Sequence, residues 1–359
     1  MARINPYYRN NLVLTEHDKV VVELPFQDAA MSRRFLVTGG AGFVGSHLVA
    51  ALLDQGAEVV VFDNLRAGHR EAVLPGATLV TGALEDPDAI ASVLAQGPWH
   101  AVFHFAALSL VGDSMRDPIG YLSANVGNGL RLLEACVKHG VPRFVFSSTA
   151  ALFGTPDRMP IDEETAIDPG SPYGESKWMM ERALGWAERI HGMRSACLRY
   201  FNAAGADPQG RLGEDHTPET HLIPLAIDAM LGRRAELAVF GTDYDTPDGT
   251  CIRDYIHVTD LVAAHLAALE RLDHASVTYN LGTATGHSVL EVIQSVERVS
   301  RRPVPHRFAP RRPGDPARLV ASPARIMRET GWQPRLAALD DIVATALAWR
   351  EAHPRGYGG

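Results

Sequence analysis

The 359-residue chain carries only three cysteines, Cys136, Cys197 and Cys251, and they are scattered without metal-ligand spacing. A disulfide framework is thereby excluded, and the thiols fit reduced, small apolar residues in a cytoplasm. No apolar run approaches the roughly 18 residues of a membrane helix, and the N-terminus has no apolar stretch followed by a small-residue cleavage site. Neither a membrane partner nor export is therefore expected. Charge of either sign is modest: 42 acidic against 34 basic residues leave a net charge of -8, which argues against nucleic acid or an anionic membrane as partner. Internal repeats and low-complexity tracts are absent. What remains is ordinary globular composition, 46% apolar and 21% charged, on a chain long enough for about two domains of roughly 150 residues.

Residues 1–32 are mixed and aperiodic, and read as an extension outside the main fold or as a start codon set upstream of Met31. From Arg34 the pattern changes. Short runs rich in Val, Phe and Leu start at Phe35, Glu58, Thr78, Ala101, Arg143 and Ser195, and read as six buried strands. Helical segments near 43–55, 86–96, 117–140 and 172–192 lie between them. Strand and helix in alternation predict an α/β fold with a doubly wound parallel sheet. After Asn202 the rhythm loosens into long polar loops interleaved with apolar helices near 222–231, 258–272, 289–299 and 339–349. That change divides the chain into 1–32, a nucleotide-binding domain at 33–202 and a second lobe at 203–359, with segments returning to the first.

The first strand runs into TGGAGFVGSHL, in which Gly39, Gly42 and Gly45 are spaced three apart. Glycines at a strand-to-helix turn let the backbone approach a pyrophosphate, and the helix N-terminus offers free N–H groups. Asp63 ends the next strand, where a carboxylate suits a ribose diol and repels a 2'-phosphate, so NAD is expected rather than NADP. Farther on, FSST ends a strand and YGESK sets Tyr173 and Lys177 four residues apart, on one helical face. An ammonium beside a phenol stabilises the phenolate and suits it to act as a base.

Taken together, TGGAGFVG, FDN, HFAALSLVGDS, FSSTAALFG, SPYGESK, LRYFNAAGA, GTCIRDYIHV and FAPRRPGDP resemble the UDP-glucose 4-epimerase family, an extended short-chain dehydrogenase/reductase type, from about residue 34 to the C-terminus. The resemblance implies a Rossmann-type sheet with a smaller α/β substrate-binding lobe, tightly held NAD, a UDP-sugar substrate, a role in galactose metabolism, and a homodimer built through the helices at 117–140 and 172–192. It implies that Tyr173 takes the 4'-OH proton, that Lys177 tunes it and contacts a ribose, and that Thr149 partners the sugar oxygen. Around the cofactor it sets Gly39, Gly42, Phe43, Val44, Gly45, Asp63, Asn64, Leu84, Phe105, Ala106, Ala107, Ser109, Asn125, Ser147, Tyr200 and Phe201. Around UDP-sugar it sets Asn202, His221, Leu222, Ala238, Phe240, Arg253, Tyr255, Arg312, Asp315 and Leu319. The two arginines make sense independently, since a diphosphate needs forked, permanently charged donors.

Several positions depart from the family pattern. Ala83 follows Gly82 where an acidic residue often meets adenine, Ser109 holds a position that can carry lysine, and Ala124 holds one that can carry a ribose-contacting asparagine, with Asn125 beside it. His221 stands where an asparagine contacts UDP. Histidine-containing pairs occur, but no metal spacing is apparent and the chemistry needs no metal. Nucleotide-sugar 4,6-dehydratases and decarboxylases place a carboxylate directly after the Ser/Thr; Ala150 and Ala151 stand there instead, which favours simple epimerisation. Leu319 at the pocket-size position favours UDP-glucose and UDP-galactose over N-acetylated sugars, while a UDP-pentose stays open. A noncatalytic NAD-binding protein would be expected to have lost Tyr173 or Lys177.

Overall fold

A strand that is apolar on both faces must be covered on both, and the core residues Leu36, Val60, Phe103, Val145 and Leu198 are all about fully buried. They lie in a seven-stranded, wholly parallel sheet. The structure is a computed structural model that describes residues 33–312 and 315–358. It also describes two short antiparallel strands, Leu12–Val13 and Val21–Val22; the rest of the expected extension lies outside the described residues.

The sheet contains β1 (Arg34–Thr38), β2 (Glu58–Asp63), β3 (Thr78–Thr81), β4 (Ala101–His104), β5 (Arg143–Ser147) and β6 (Arg194–Tyr200), all six expected strands. A seventh, β10 (Val277–Leu281), comes from the downstream half and pairs with β6, giving the order β10-β6-β5-β4-β1-β2-β3. Strand order reverses between β1 and β4, and ligands of doubly wound sheets bind in the crevice at that point, beyond the strands' carboxyl ends. Register brings those ends level, with Thr38 opposite both Phe62 and His104.

Helices α1 (Phe43–Asp54) and α8 (Val258–Arg271) cover one face of the sheet. On the other lie α2 (Pro87–Leu94), α5 (Asn128–Lys138) and α6 (Pro172–His191). The start of α6 is written in its sequence: Ser171 accepts a hydrogen bond from the Gly174 N–H, and Pro172 occupies the first helical position. The helix expected over 117–140 is broken. Val111–Arg116 (α3) and Pro118–Leu122 (α4) precede a π turn at Ser123–Gly127, after which α5 begins. Pro118 prevents continuous helix from α3, Asp117 caps the new start through the Gly120 N–H at 2.9 Å, and the π turn contains the buried Asn125.

Downstream lie β7 (Asn202–Ala204), α7 (Leu222–Met230), β8 (Leu237–Phe240) and β9 (Ile252–His257), the last leading into α8. After β10 come β11 (Gly286–Ser288), α9 (Val289–Ser300), β12 (His306–Ala309), β13 (Arg318–Leu319), α10 (Ala324–Thr330) and α11 (Leu339–Ala352). Strand β9 pairs with β7, β11 and β13, while β8 pairs with β12. A third core joins α7, α9 and α11. The cysteines at 136, 197 and 251 are free and buried, and among the described residues no helix is long and apolar enough to cross a membrane.

Candidate active site

The glycine turn between β1 and α1 is shaped by close approach. Gly39 has φ +73, and a Cβ there would meet the Ala106 backbone nitrogen at 2.5 Å; one at Gly45 would meet the Gly39 carbonyl at 2.2 Å. A Cβ at Gly42 would find only the Gly39 carbonyl, at 3.4 Å. No side chain caps α1 at Gly42, so the first-turn N–H groups beside Phe43 and Val44 keep their capacity to bind an anion. Beside the turn, the Asp63 carboxylate accepts from the Ala41 N–H at 3.0 Å and the Leu65 N–H at 2.8 Å. A narrow backbone turn, an uncapped helix start and a strand-end carboxylate fit the pyrophosphate and adenosine ribose of a dinucleotide.

Other expected cofactor positions ring the same strand ends. Asn64 is exposed, and its side chain accepts from the Arg66 N–H at 3.0 Å. Leu84 is buried with Phe62. The Phe105 ring lies 5.2 Å from the His265 ring, Ala106 abuts Gly39, and Ala107 and Ser109 are exposed. Asn125 is committed to the chain: it accepts from the Leu108 N–H at 2.8 Å and donates to the Leu108 carbonyl at 2.9 Å and to Ser176 Oγ at 3.1 Å. Its amide thereby anchors the loop that carries Phe105 to Ser109.

Tyr173, Lys177 and Thr149 come together where β5 meets α6. The Thr149 hydroxyl neighbours the Tyr173 phenol and draws its pKa down. Lys177 Nζ donates to the Ser147 carbonyl at 2.8 Å and lies 5.9 Å from the centre of the Tyr173 ring and 4.9 Å from that of Phe146. Burial dominates both ionisable groups. It pushes the phenol up, against the pull of the Thr149 hydroxyl, and it pushes the Lys177 ammonium down to about 7, against Glu181. The expected lowering of the phenol by the ammonium is therefore outweighed in the protein alone by loss of water around both groups.

The sequence reading missed the support behind this trio. Glu181, one turn beyond Lys177 on the buried face of α6, accepts from Ser148 Oγ at 2.5 Å and receives the Arg199 guanidinium at 2.6 and 3.0 Å. Ser147 Oγ and Tyr200 OH, both on expected cofactor positions, stand 2.5 Å apart. The available signal was the spacing of Lys177 and Glu181, four residues apart on the helix face that also holds Tyr173.

The expected substrate positions come from the downstream half. Asn202 donates to the Asp254 carbonyl at 2.9 Å and sits opposite Tyr255, which is buried. Phe201 and Leu319 each pack against the cluster of Leu152, Phe153 and Ile161. Arg253 is ion-paired with Asp315, and Arg312 lies 4.2 Å over the Phe240 ring. Ala238 and Phe240 lie on β8, and Leu222 opens α7. The His221 imidazole keeps unexpected company, with Nδ1 at 2.7 Å from Glu214 Oε1 and 3.2 Å from Glu219 Oε1.

The sheet, the glycine turn and the Tyr–Lys pair define a dinucleotide-binding α/β enzyme of the extended short-chain dehydrogenase/reductase type. A family model described as "NAD dependent epimerase/dehydratase family" matches residues 35–282, and the chain belongs to that family. It is 47% identical over 324 residues to the UDP-glucose 4-epimerase of Halalkalibacterium halodurans, covering 90% of this chain and 97% of the relative. The crystal structure of the UDP-glucose 4-epimerase of Brucella ovis in complex with NAD is similar at 45% identity and a TM-score of 0.85, covering 88% of this chain and 98% of that one. That of Bifidobacterium longum in complex with NAD+ and UDP matches at 38% identity and a TM-score of 0.85, covering 90% and 99%. The α/β reading and the resemblance drawn from the motifs are both borne out.

Proposed function

We propose that the chain interconverts UDP-glucose and UDP-galactose as an NAD-dependent UDP-glucose 4-epimerase, in galactose metabolism. The observation that carries the reading is local: the Thr149 and Tyr173 hydroxyls are neighbours, with Lys177 behind them, and no carboxylate stands at Ala150 or Ala151. NAD supplies a hydride acceptor that takes the hydrogen from C4 and returns it. Tyr173 removes the 4'-OH proton and gives it back, Thr149 holds the sugar oxygen, and Lys177 tunes Tyr173 and contacts a ribose. A 4-keto sugar formed this way would have to turn over in the pocket, so that hydride could return to its other face and Tyr173 could give the proton back. Without an acid at 150 or 151 there is no group to expel water, so epimerisation is favoured over dehydration.

Asp63 holds the adenosine ribose, the glycine turn with Phe43 and Val44 the pyrophosphate, and Phe105 to Ala107, Ser109, Ser147, Tyr200 and Phe201 surround the nicotinamide half. Asn202 and residues of 203–359 supply the UDP contacts, with Arg253 and Arg312 on the diphosphate and Asn202, Leu222, Ala238, Phe240, Tyr255 and Asp315 around the nucleotide. Leu319 fills the space that an N-acetyl group needs. The three buried thiols suit a cytoplasmic enzyme. A homodimer is supported by the exposed apolar residues Met115, Ile119, Leu130, Met179, Trp186 and Ile190, all on α3 to α6. A 4-epimerisation assay over a panel of UDP-sugars tests the reading: turnover of UDP-galactose well above UDP-GlcNAc is expected, and equal kcat/KM for the two would refute the Leu319 argument. Recovery of NADP rather than NAD from the denatured protein would refute the role of Asp63.

A further inference from the structure

Between the nucleotide turn and α7, four side chains converge, of which His221 alone falls on a position expected to meet UDP and the other three have no task in the proposed reaction. In Gly213 to His221, Glu214, His216, Glu219 and His221 each contribute one donor atom, and the four atoms lie within 4.8 Å of one another. His221 Nδ1 stands 2.7 Å from Glu214 Oε1 and 3.2 Å from Glu219 Oε1, while His216 Nδ1 stands 3.3 Å from Glu214 Oε1 and 3.8 Å from Glu219 Oε2. Ligands about 2.0–2.1 Å from a tetrahedral metal are separated by roughly 3.3–3.4 Å. The four His–Glu separations, taken over both Glu219 oxygens, bracket that value.

Orientation is the second observation. Glu214 is only 5% exposed, yet its Oε1 makes no hydrogen bond, and neither does His216 Nδ1 nor Glu219 Oε2, although all three atoms are buried. Buried polar atoms are normally paired, because leaving one unpaired costs about 1–3 kcal/mol. Within the cluster only His221 Nδ1 and Glu219 Oε1 meet as a hydrogen bond, at 3.2 Å; the other donor atoms, close but not bonded, are aimed at a shared point instead. We infer that Glu214, His216, Glu219 and His221 form a binding site for one zinc ion. Two imidazole nitrogens and two carboxylate oxygens suit Zn2+, whereas Ca2+ and Mg2+ call for oxygen ligands in greater number. The carboxylates neutralise the dication, and four protein ligands leave no position for substrate, so the site is structural.

Its position says what it holds together. The His216 ring meets the Phe43 ring edge-on at 6.4 Å, at the start of α1. Asp215 accepts from the Tyr357 N–H at 2.9 Å, and its carbonyl lies 3.0 Å from His69 Nε2. His221 is the N-cap of α7. A metal here ties the glycine turn to the first helix of the downstream half.

The test uses untagged, full-length protein cleared of metal with a chelator and titrated with ZnCl2. One zinc per chain retained through gel filtration is expected, with the unfolding midpoint rising by about 4 °C when free zinc is 100-fold over Kd. Glu214→Gln and His216→Asn should each abolish both. CoCl2 supplies a reading on the wild-type protein alone, independent of whether the variants fold: the intense visible bands of four-coordinate cobalt are expected. A weak six-coordinate spectrum, no retained zinc, or equal retention by the folded variants would overturn the site.

Discussion

Glu181→Leu isolates the group on which the reactive trio rests. Glu181 and Arg199 are nearly water-free, with side chains 5% and 6% exposed, and the carboxylate also receives Ser148 Oγ. Leucine has similar volume, so the loss is chiefly electrostatic: a guanidinium left buried against β6 without its counter-ion. Breaking such a pair costs about 3–5 kcal/mol. With an unfolding entropy of about 2.1 cal/mol/K per residue, a unit of roughly 330 residues loses about 4–7 °C in Tm. The assay is thermal and urea unfolding of wild type, Glu181→Leu, and the double variant with Arg199→Met. The double variant removes the stranded charge and should recover at least about 2 kcal/mol of the loss. Because Glu181 also supports the Lys177 ammonium, kcat should fall in Glu181→Leu at pH 7 with KM for UDP-galactose little changed. A Glu181→Leu protein within about 1 kcal/mol of wild type, or a double variant no more stable than the single, would refute the reasoning.

Three further outcomes are expected. Tyr173→Phe should lower kcat for epimerisation by about 10²–10⁴ with NAD content unchanged; near wild-type turnover would remove Tyr173 as the proton-transfer group. The folded pKa of Lys177 is lowered from 10.5 to about 7, so the folded state sheds its proton first and stability rises with pH between those values. In nucleotide-free protein the stability advantage of Lys177→Met over wild type should therefore shrink by about 2 kcal/mol from pH 7 to 9, measured by urea unfolding, and a constant difference would contradict it. Gly45→Ala drives a Cβ to 2.2 Å from the Gly39 carbonyl, so the turn must move; purified protein should lose NAD and about 1–3 kcal/mol of stability, read by cofactor release and unfolding.

Much of the molecule is local enough to be written along the chain. The six strand cores, the glycine spacing, the Asp63 strand end and the four-residue step from Tyr173 to Lys177 each depend on neighbours within one element, so periodicity and spacing disclose them. Helix starts are equally local, as Ser171 and Pro172 at α6 and Ser288 with Glu291 at α9 demonstrate. Two things escaped that reading. Val277–Leu281 becomes the seventh strand only because β6 offers it an edge 77 or more residues away in sequence. The π turn at Asn125 forms where the amide reaches Leu108 and Ser176, partners on other elements.

Electrostatics separates the two levels most clearly. From the sequence, Lys177 beside Tyr173 signifies an ammonium lowering a phenol, which is the result when both remain in water. The tertiary structure buries both, and desolvation drives the phenol up and the ammonium down, since burial penalises whichever form is charged. Likewise Glu214, His216, Glu219 and His221 carry no familiar metal spacing, and only the fold of their loop brings the four donor atoms within 4.8 Å. Residue identity and spacing decided the class of chemistry. The distances and the exclusion of water, which arise from packing between segments far apart in the chain, decided how each charged group sits within it.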